Sequence, residues 1–211
     1  MTYHPTTTAL LLVDPYNDFL SEGGKAWSRA KTIAEEVKLL DHLRVLVRVA
    51  RDTGIKVYFV PHHRWEPGDY VKWDHPTPYQ LAGAERQTFA KGTWGGTFHD
   101  DFQPQPDDIV VHEHWYSSGF ANTDLDLQLK QFGISHVIII GMIANTCIEA
   151  TGRFATELGY HVTLVKDATA DFSAEAMHAA HAINGPTYAH AITTTDELIA
   201  ELTGGVAARR P

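Results

Sequence analysis

Two side chains capable of covalent chemistry stand just past apolar runs. Asp14 follows the run 8–13, and Cys147, the only cysteine of 211 residues, lies six residues after Gly141. A thiolate attacks carbonyl carbon, and a nearby carboxylate can take the thiol proton and pass it to a leaving nitrogen. Thr146-Cys147-Ile148-Glu149 reads as a capping box, with Thr146 as N-cap, Glu149 at N3 and Cys147 at the first helical position. Free N–H groups there favour a thiolate and can receive an oxyanion. Taken singly, each residue also has a plain reading: a lone cysteine as a small core residue, an Asp after a strand as a turn or cap. Their joint placement sets the nucleophile reading level with the plain one.

The elements that must position them follow from the apolar pattern. Short runs at 8–13, 55–60, 108–111, 136–141, 161–165 and 189–194 read as six strands, several of them covered on both faces. Helical spacing lies between them. One stretch carries Ile33, Val37, Leu40, Val47 and Ala50, and others run Thr123–Phe132, Cys147–Leu158, Ser173–Ile183 (N-cap Ser173) and Glu197–Leu202. This alternation predicts an α/β, doubly wound, Rossmann-like six-stranded parallel sheet with helices on both faces and strand order 3-2-1-4-5-6. Ligands of such sheets bind past the strand ends where the order reverses, between strands 1 and 4. That is where Asp14 and the 141–147 loop fall. The stretch 61–107 reads as long functional loops with short helical pieces.

Composition narrows the function. A net charge of −9 argues against nucleic-acid partners and against an anionic membrane surface, and no run is long enough to span a bilayer. The N-terminus has no secretory pattern, and one cysteine excludes an internal disulfide or cysteine-based cluster, so a cytoplasmic setting is expected. No G-x-G-x-x-G follows the first strand, and neither a P-loop nor a G-x-S-x-G elbow occurs. We expect a single domain over 1–211, a small-molecule substrate and no cofactor.

The chain resembles the isochorismatase-like cysteine hydrolase superfamily. The resemblance rests on Leu12–Phe19, Lys91–Gly95, Ser118–Leu125, Gly141–Glu149 and Val165–Ala168. It implies a catalytic Asp and a nucleophilic Cys, matched by Asp14 and Cys147, and a cis peptide at Met142–Ile143. The Ile143 and Cys147 amides would then form the oxyanion hole. It also implies a homo-oligomer and a catalytic lysine, but the corresponding stretch, Val111–Phe120, has one extra residue and no lysine. Glu113 holds the lysine position counted from the strand, and His114 holds it counted back from Phe120. Either His114 supplies the positive charge, or Glu113 shares a proton with Asp14 as a carboxyl of raised pKa; position favours Glu113. Phe19, Trp94, His114, Trp115, Phe120 and Met142 are candidate pocket residues. His62 and His63 lack the Asp-x-His pattern with which some members hold a metal, so no site metal is expected.

The resulting expectation is a cysteine hydrolase cleaving a C–N bond of a small amide, lactam or ureido compound through a thioester. The alternatives are vinyl-ether hydrolysis of the isochorismate type by acid chemistry from Asp14, and a non-catalytic thiol sensor or binding homologue.

Overall fold

The structure is a computed structural model and describes residues 3–207, with side chains to 204. Six parallel strands form one sheet: β1 (Thr8–Val13), β2 (Lys56–Val60), β3 (Ile109–Val110), β4 (His136–Met142), β5 (His161–Ala170) and β6 (Ala191–Thr193). Their order is β3-β2-β1-β4-β5-β6, as the sequence pattern predicts. Central β1 pairs with β2 on one side (Leu12 opposite Phe59) and with β4 on the other (Leu12 opposite Ile140).

Alternation along β1 builds both layers. Leu10 and Leu12 pack with α2 (Trp27–Glu36), α3 (Leu39–Asp52) and α8 (Thr195–Ala207), while Ala9, Leu11 and Val13 pack against α5 (Leu125–Gln131) and α6 (Glu149–Glu157). In α3, Leu39, Leu43, Leu46, Val47 and Ala50 recur at three- and four-residue spacing and are all buried. Burying each leucine contributes about 1.5–3 kcal/mol relative to exposure.

Several expected boundaries shift. The helix drawn through 33–50 is two helices, broken where Lys38 adopts φ 53°. Strand β3 is only two residues long, and β5 continues five residues past 165. Ser173 caps its helix as expected, accepting a hydrogen bond from Ala176 N–H, but the α-helix α7 covers only Ala174–His178 and continues as a wider π turn, Ala179–Asn184. Two short elements flank the strand ends: α1 (Asn17–Leu20) directly after β1, and α4 (Pro78–Arg86) inside the long 61–107 stretch. Helix α4 carries a complete capping box between Thr77 and Gln80 with Pro78 at its start. Among the described residues no helix is long and apolar enough to cross a membrane.

Candidate active site

The carboxyl end of β1 delivers Asp14. Its amide continues the sheet, donating to Val60 O at 3.1 Å, and its φ of 53° turns the chain sharply, a conformation that Asp tolerates better than most residues. Beside it β4 passes Gly141, whose φ is 118° and whose α-carbon lies so close to Val13 that a methyl group would run into the Val13 backbone. The Met142–Ile143 peptide is cis, as the family resemblance implies.

The predicted capping box after β4 does not form. The chain instead enters a π turn, Ala144–Ile148, closed by Ile148 N–H to Ile143 O at 3.2 Å. Cys147 sits inside this turn, not at the first position of a Thr146-capped helix. Glu149 binds Arg153 (2.9 Å) and Asn184 (3.1 Å). Thr146 Oγ1 lies 3.8 Å from the Cys147 sulfur, as donor to it. The turn is anchored by Asp171, just past β5, whose Oδ2 accepts from Asn145 N–H at 2.7 Å.

The third group is His114. The chain after β3 runs alongside the segment after β2: His114 N–H donates to Pro61 O at 2.9 Å, and His63 N–H donates to His114 O at 2.8 Å. The imidazole is thereby carried into the sheet end, where Nε2 lies 3.0 Å from Asp14 Oδ1 and both side chains are fully buried. Its Nδ1 lies 3.2 Å from Tyr116 O. One ligating atom each of Asp14, His114 and Cys147 lie within 4.8 Å of one another. Asp14 Oδ2 is buried without a hydrogen-bond partner, and the thiol is the donor this site offers it. Burial pushes the Cys147 thiol well above its ordinary range, and the adjacent charge of Asp14 pushes the same way; Thr146 and the Ile143 amide oppose them. The resting group is therefore the thiol, with an acceptor for its proton in place. The same three atoms suit a borderline divalent cation such as zinc.

Glu113, favoured by position, goes elsewhere. Its Oε1 accepts from Arg64 Nε at 2.6 Å, and its Oε2 accepts from Arg64 N at 2.9 Å and lies 3.4 Å from His63 Nδ1. Burial would raise its pKa, but hydrogen bonds from His63 and Arg64 win and hold the carboxyl down at about 2. The expected raised carboxyl paired with Asp14 is thus corrected. Adjacent residues of an extended chain point opposite ways, so with His114 turned inward Glu113 turns to Arg64.

A cleft reaches Cys147. Of the expected pocket residues only Phe19 lines it. Met142 and Phe120 are buried in the packed layers, Trp94 is half exposed outside it, and Trp115 stacks on His63 at 3.7 Å between ring centroids. The sequence reading missed its other walls: Tyr79, Gln80 and Arg86 from α4, Arg29 from α2, and Phe89. The capping box ahead of α4 was the available signal. His62 also lines the cleft. Its Nδ1 lies 2.8 Å from His63 O, so Nδ1 carries the proton; burial, followed by the charge of His114, pushes its pKa down to about 4. His63 is held by Asp69 and Glu113. Asp167 caps α8 by accepting from Thr195 N–H at 2.8 Å.

A family model of the isochorismatase domain matches residues 8–197. The chain belongs to the isochorismatase family. This family member is 33% identical over 178 residues to the ureidoacrylate amidohydrolase RutB of Pantoea ananatis, covering 79% of this chain and 70% of that protein. It is 29% identical to the Variovorax paradoxus RutB, covering 94% and 82%. A cysteine hydrolase from Pseudomonas syringae pv. phaseolicola shares the fold with a TM-score of 0.80 and 24% identity, covering 97% and 96% of the two chains. N-carbamoylsarcosine amidase from Thermoplasma acidophilum aligns with a TM-score of 0.66 and 25% identity, covering 90% and 97%.

Proposed function

We propose that Asp14, His114 and Cys147 form the catalytic centre of a hydrolase that cleaves a C–N bond in a small amide or ureido compound. The observation that carries this reading is the approach of the three groups to within 4.8 Å at the ends of β1 and β4, where a cleft opens onto the sulfur. The relatives RutB and N-carbamoylsarcosine amidase, both named for amide or ureido C–N chemistry, support the reaction class.

In this scheme the substrate carbonyl enters beside Cys147. The thiol proton moves to Asp14 as sulfur attacks carbon, giving a tetrahedral oxyanion that the Ile143 and Cys147 amides receive. Asp14 returns the proton to the nitrogen, the C–N bond breaks, and the amine or ammonia leaves. Water adds to the thioester, again giving its proton to Asp14, and the acid is released as sulfur takes the proton back. His114 takes the place of the family's lysine beside Asp14, its Nε2 in contact with Oδ1. Glu113 acts at a distance, fixing Arg64 and His63 around the His114 segment.

A sensor role needs an exposed thiol of low pKa, and Cys147 is buried with its thiol raised. Vinyl-ether hydrolysis leaves the thiol without a task. We read the chain as one catalytic domain, cytoplasmic and homo-oligomeric, with neither nucleic-acid nor membrane partners. The lone cysteine and net charge of −9 support the setting and the partners.

The test is an ammonia- and amine-release screen across amides, lactams and ureido compounds, with Cys147→Ser as the blank and acid-quenched protein mapped for an acyl group on the 147 peptide. Turnover in the wild type alone, with the adduct on Cys147, is expected. Equal turnover in the blank would overturn the thiol mechanism.

A further inference from the structure

The cleft is charged against the character of the chain. The protein has 26 acidic and 17 basic side chains, yet among the described residues no Asp or Glu lines the space above Cys147, whereas Arg29 and Arg86 both do. Arg44, Arg51, Arg64 and Arg153 each hold a carboxylate. Among the described residues neither Arg29 nor Arg86 has a carboxylate within salt-bridge distance. Arg29 is fixed by the Phe172 ring, 3.8 Å below its guanidinium carbon, an interaction that leaves the N–H edges free. Asp171 feels the charge of Arg29, but its oxygens accept from the Asn145 and Phe172 amides. Arg86 ends α4, the helix that brings Tyr79 into the cleft.

Tyr79 ties these groups to the sulfur. Burial, with Cys147 and Asp171 acting in the same direction, raises its hydroxyl to about 12, while Arg29 and Arg86 both pull it down. One phenol therefore lies within electrostatic reach of the nucleophile, of both guanidiniums and of Asp171, whose oxygens are already taken by backbone amides. In a cleft walled by Phe19, Phe89 and Phe172, two unpaired guanidiniums are an anion site, since planar N–H forks match carboxylate oxygens.

We propose that Arg29 and Arg86 form a carboxylate subsite, and that the substrate is an amide or ureido acid seated with its carboxylate on these guanidiniums and its scissile carbonyl at Cys147. This rests on the hydrolase reading for the scissile bond but not for the anion. The substrate carboxylate, not a basic group or a neutral ring, sets specificity.

Two measurements test it. In the first, each amide or ureido acid is compared with its methyl ester. The wild type should prefer the acid, mainly through KM, and the acid-to-ester ratio of kcat/KM should fall about tenfold for each of R29Q and R86Q. In the second, Cys147 is alkylated with iodoacetate and with iodoacetamide, each rate normalised to free cysteine. The iodoacetate-to-iodoacetamide ratio should exceed that of free cysteine in the wild type and drop about tenfold in R29Q/R86Q and in high salt. A wild-type ratio no greater than that of free cysteine, or one unchanged in the double variant with its melting temperature preserved, would overturn the subsite. If no amide is turned over the hydrolase reading fails, while the alkylation ratio still decides the anion site.

Discussion

His114 and Asp14 meet through a 3.0 Å contact between Nε2 and Oδ1, and the other ring nitrogen of His114 lies 3.2 Å from the carbonyl of Tyr116. A carbonyl can only accept, and so can an ionised carboxylate. Nδ1 therefore faces the Tyr116 carbonyl as donor, and Nε2 is left facing the Asp14 carboxyl. We propose that this histidine takes the part of the family's lysine.

Removing the imidazole tests this arrangement. We expect His114→Asn to lower kcat by about 10²–10⁴, the usual range for a group that manages protons in the transition state. His114→Lys should retain at least tenfold more activity than His114→Asn. Steady-state kinetics on one amide substrate, with circular dichroism as the folding check, provides the comparison.

Asp14 has two separable effects on Cys147. It accepts the proton during attack, and its charge helps hold the resting thiol above its ordinary range. Asp14→Asn should therefore abolish turnover by about 10³-fold or more while moving the midpoint of iodoacetamide labelling to lower pH. Identical labelling profiles in wild type and variant would show that the two side chains do not interact.

Glu113→Gln should cost less than tenfold in kcat, because Glu113 faces Arg64. Its effect should appear in stability. The folded carboxyl sits near 2, below its ordinary value of 4.5, so its contribution is present above about pH 4.5 and is lost as pH falls toward 2. Melting curves of the wild type and the Gln variant should differ at pH 7 and converge toward pH 2.

Acid sensitivity should also come from neutral buried histidines. His181 lies 2.7 Å from Thr169 Oγ1 through Nε2, its buried Nδ1 has no partner, and burial pushes its pKa down to about 4. His62 is lowered to a similar value. The unfolded chain binds these protons near pH 6.5 and the folded chain does not, so stability declines as pH falls from about 6.5 to 4. Thermal melts should show this slope, and His181→Leu should make it shallower.

Gly141 lets β4 pass against Val13 beside Asp14. Gly141→Ala adds a methyl group where the Val13 backbone stands, at a φ of 118° that other residues rarely adopt. We expect a loss of roughly 2 kcal/mol or more, a drop of about 4 °C or more in melting temperature, and a larger proportional loss of activity.

The sheet was legible because its signal is local and repeated. Continuous apolar runs such as Leu10–Val13 and Val137–Ile140 identify strands covered on both faces, and chain order then fixes where the winding reverses. Asp14 and Cys147 could be placed at that reversal from sequence. The π turn could not, because Thr146 and Glu149 satisfy a capping-box pattern whatever the backbone does, and Asp171 and Asn184 decide the outcome from distant segments. The choice between Glu113 and His114 turned on one inserted residue. In an extended chain that reverses which side chain faces inward, and the pairing of His114 with Pro61, 53 residues earlier, turns His114 rather than Glu113 toward Asp14. The cleft walls from α4 were missed because the residues of a loop-borne helix show no core-facing periodicity.

The central claim is that Cys147 is the nucleophile. The most direct measurement is the turnover of Cys147→Ser, assayed beside the wild type on an amide or ureido compound that the wild type hydrolyses. Our account expects a loss of about 10⁴-fold or more, since the sulfur forms the covalent bond. Turnover by the serine variant within tenfold of the wild type would contradict it.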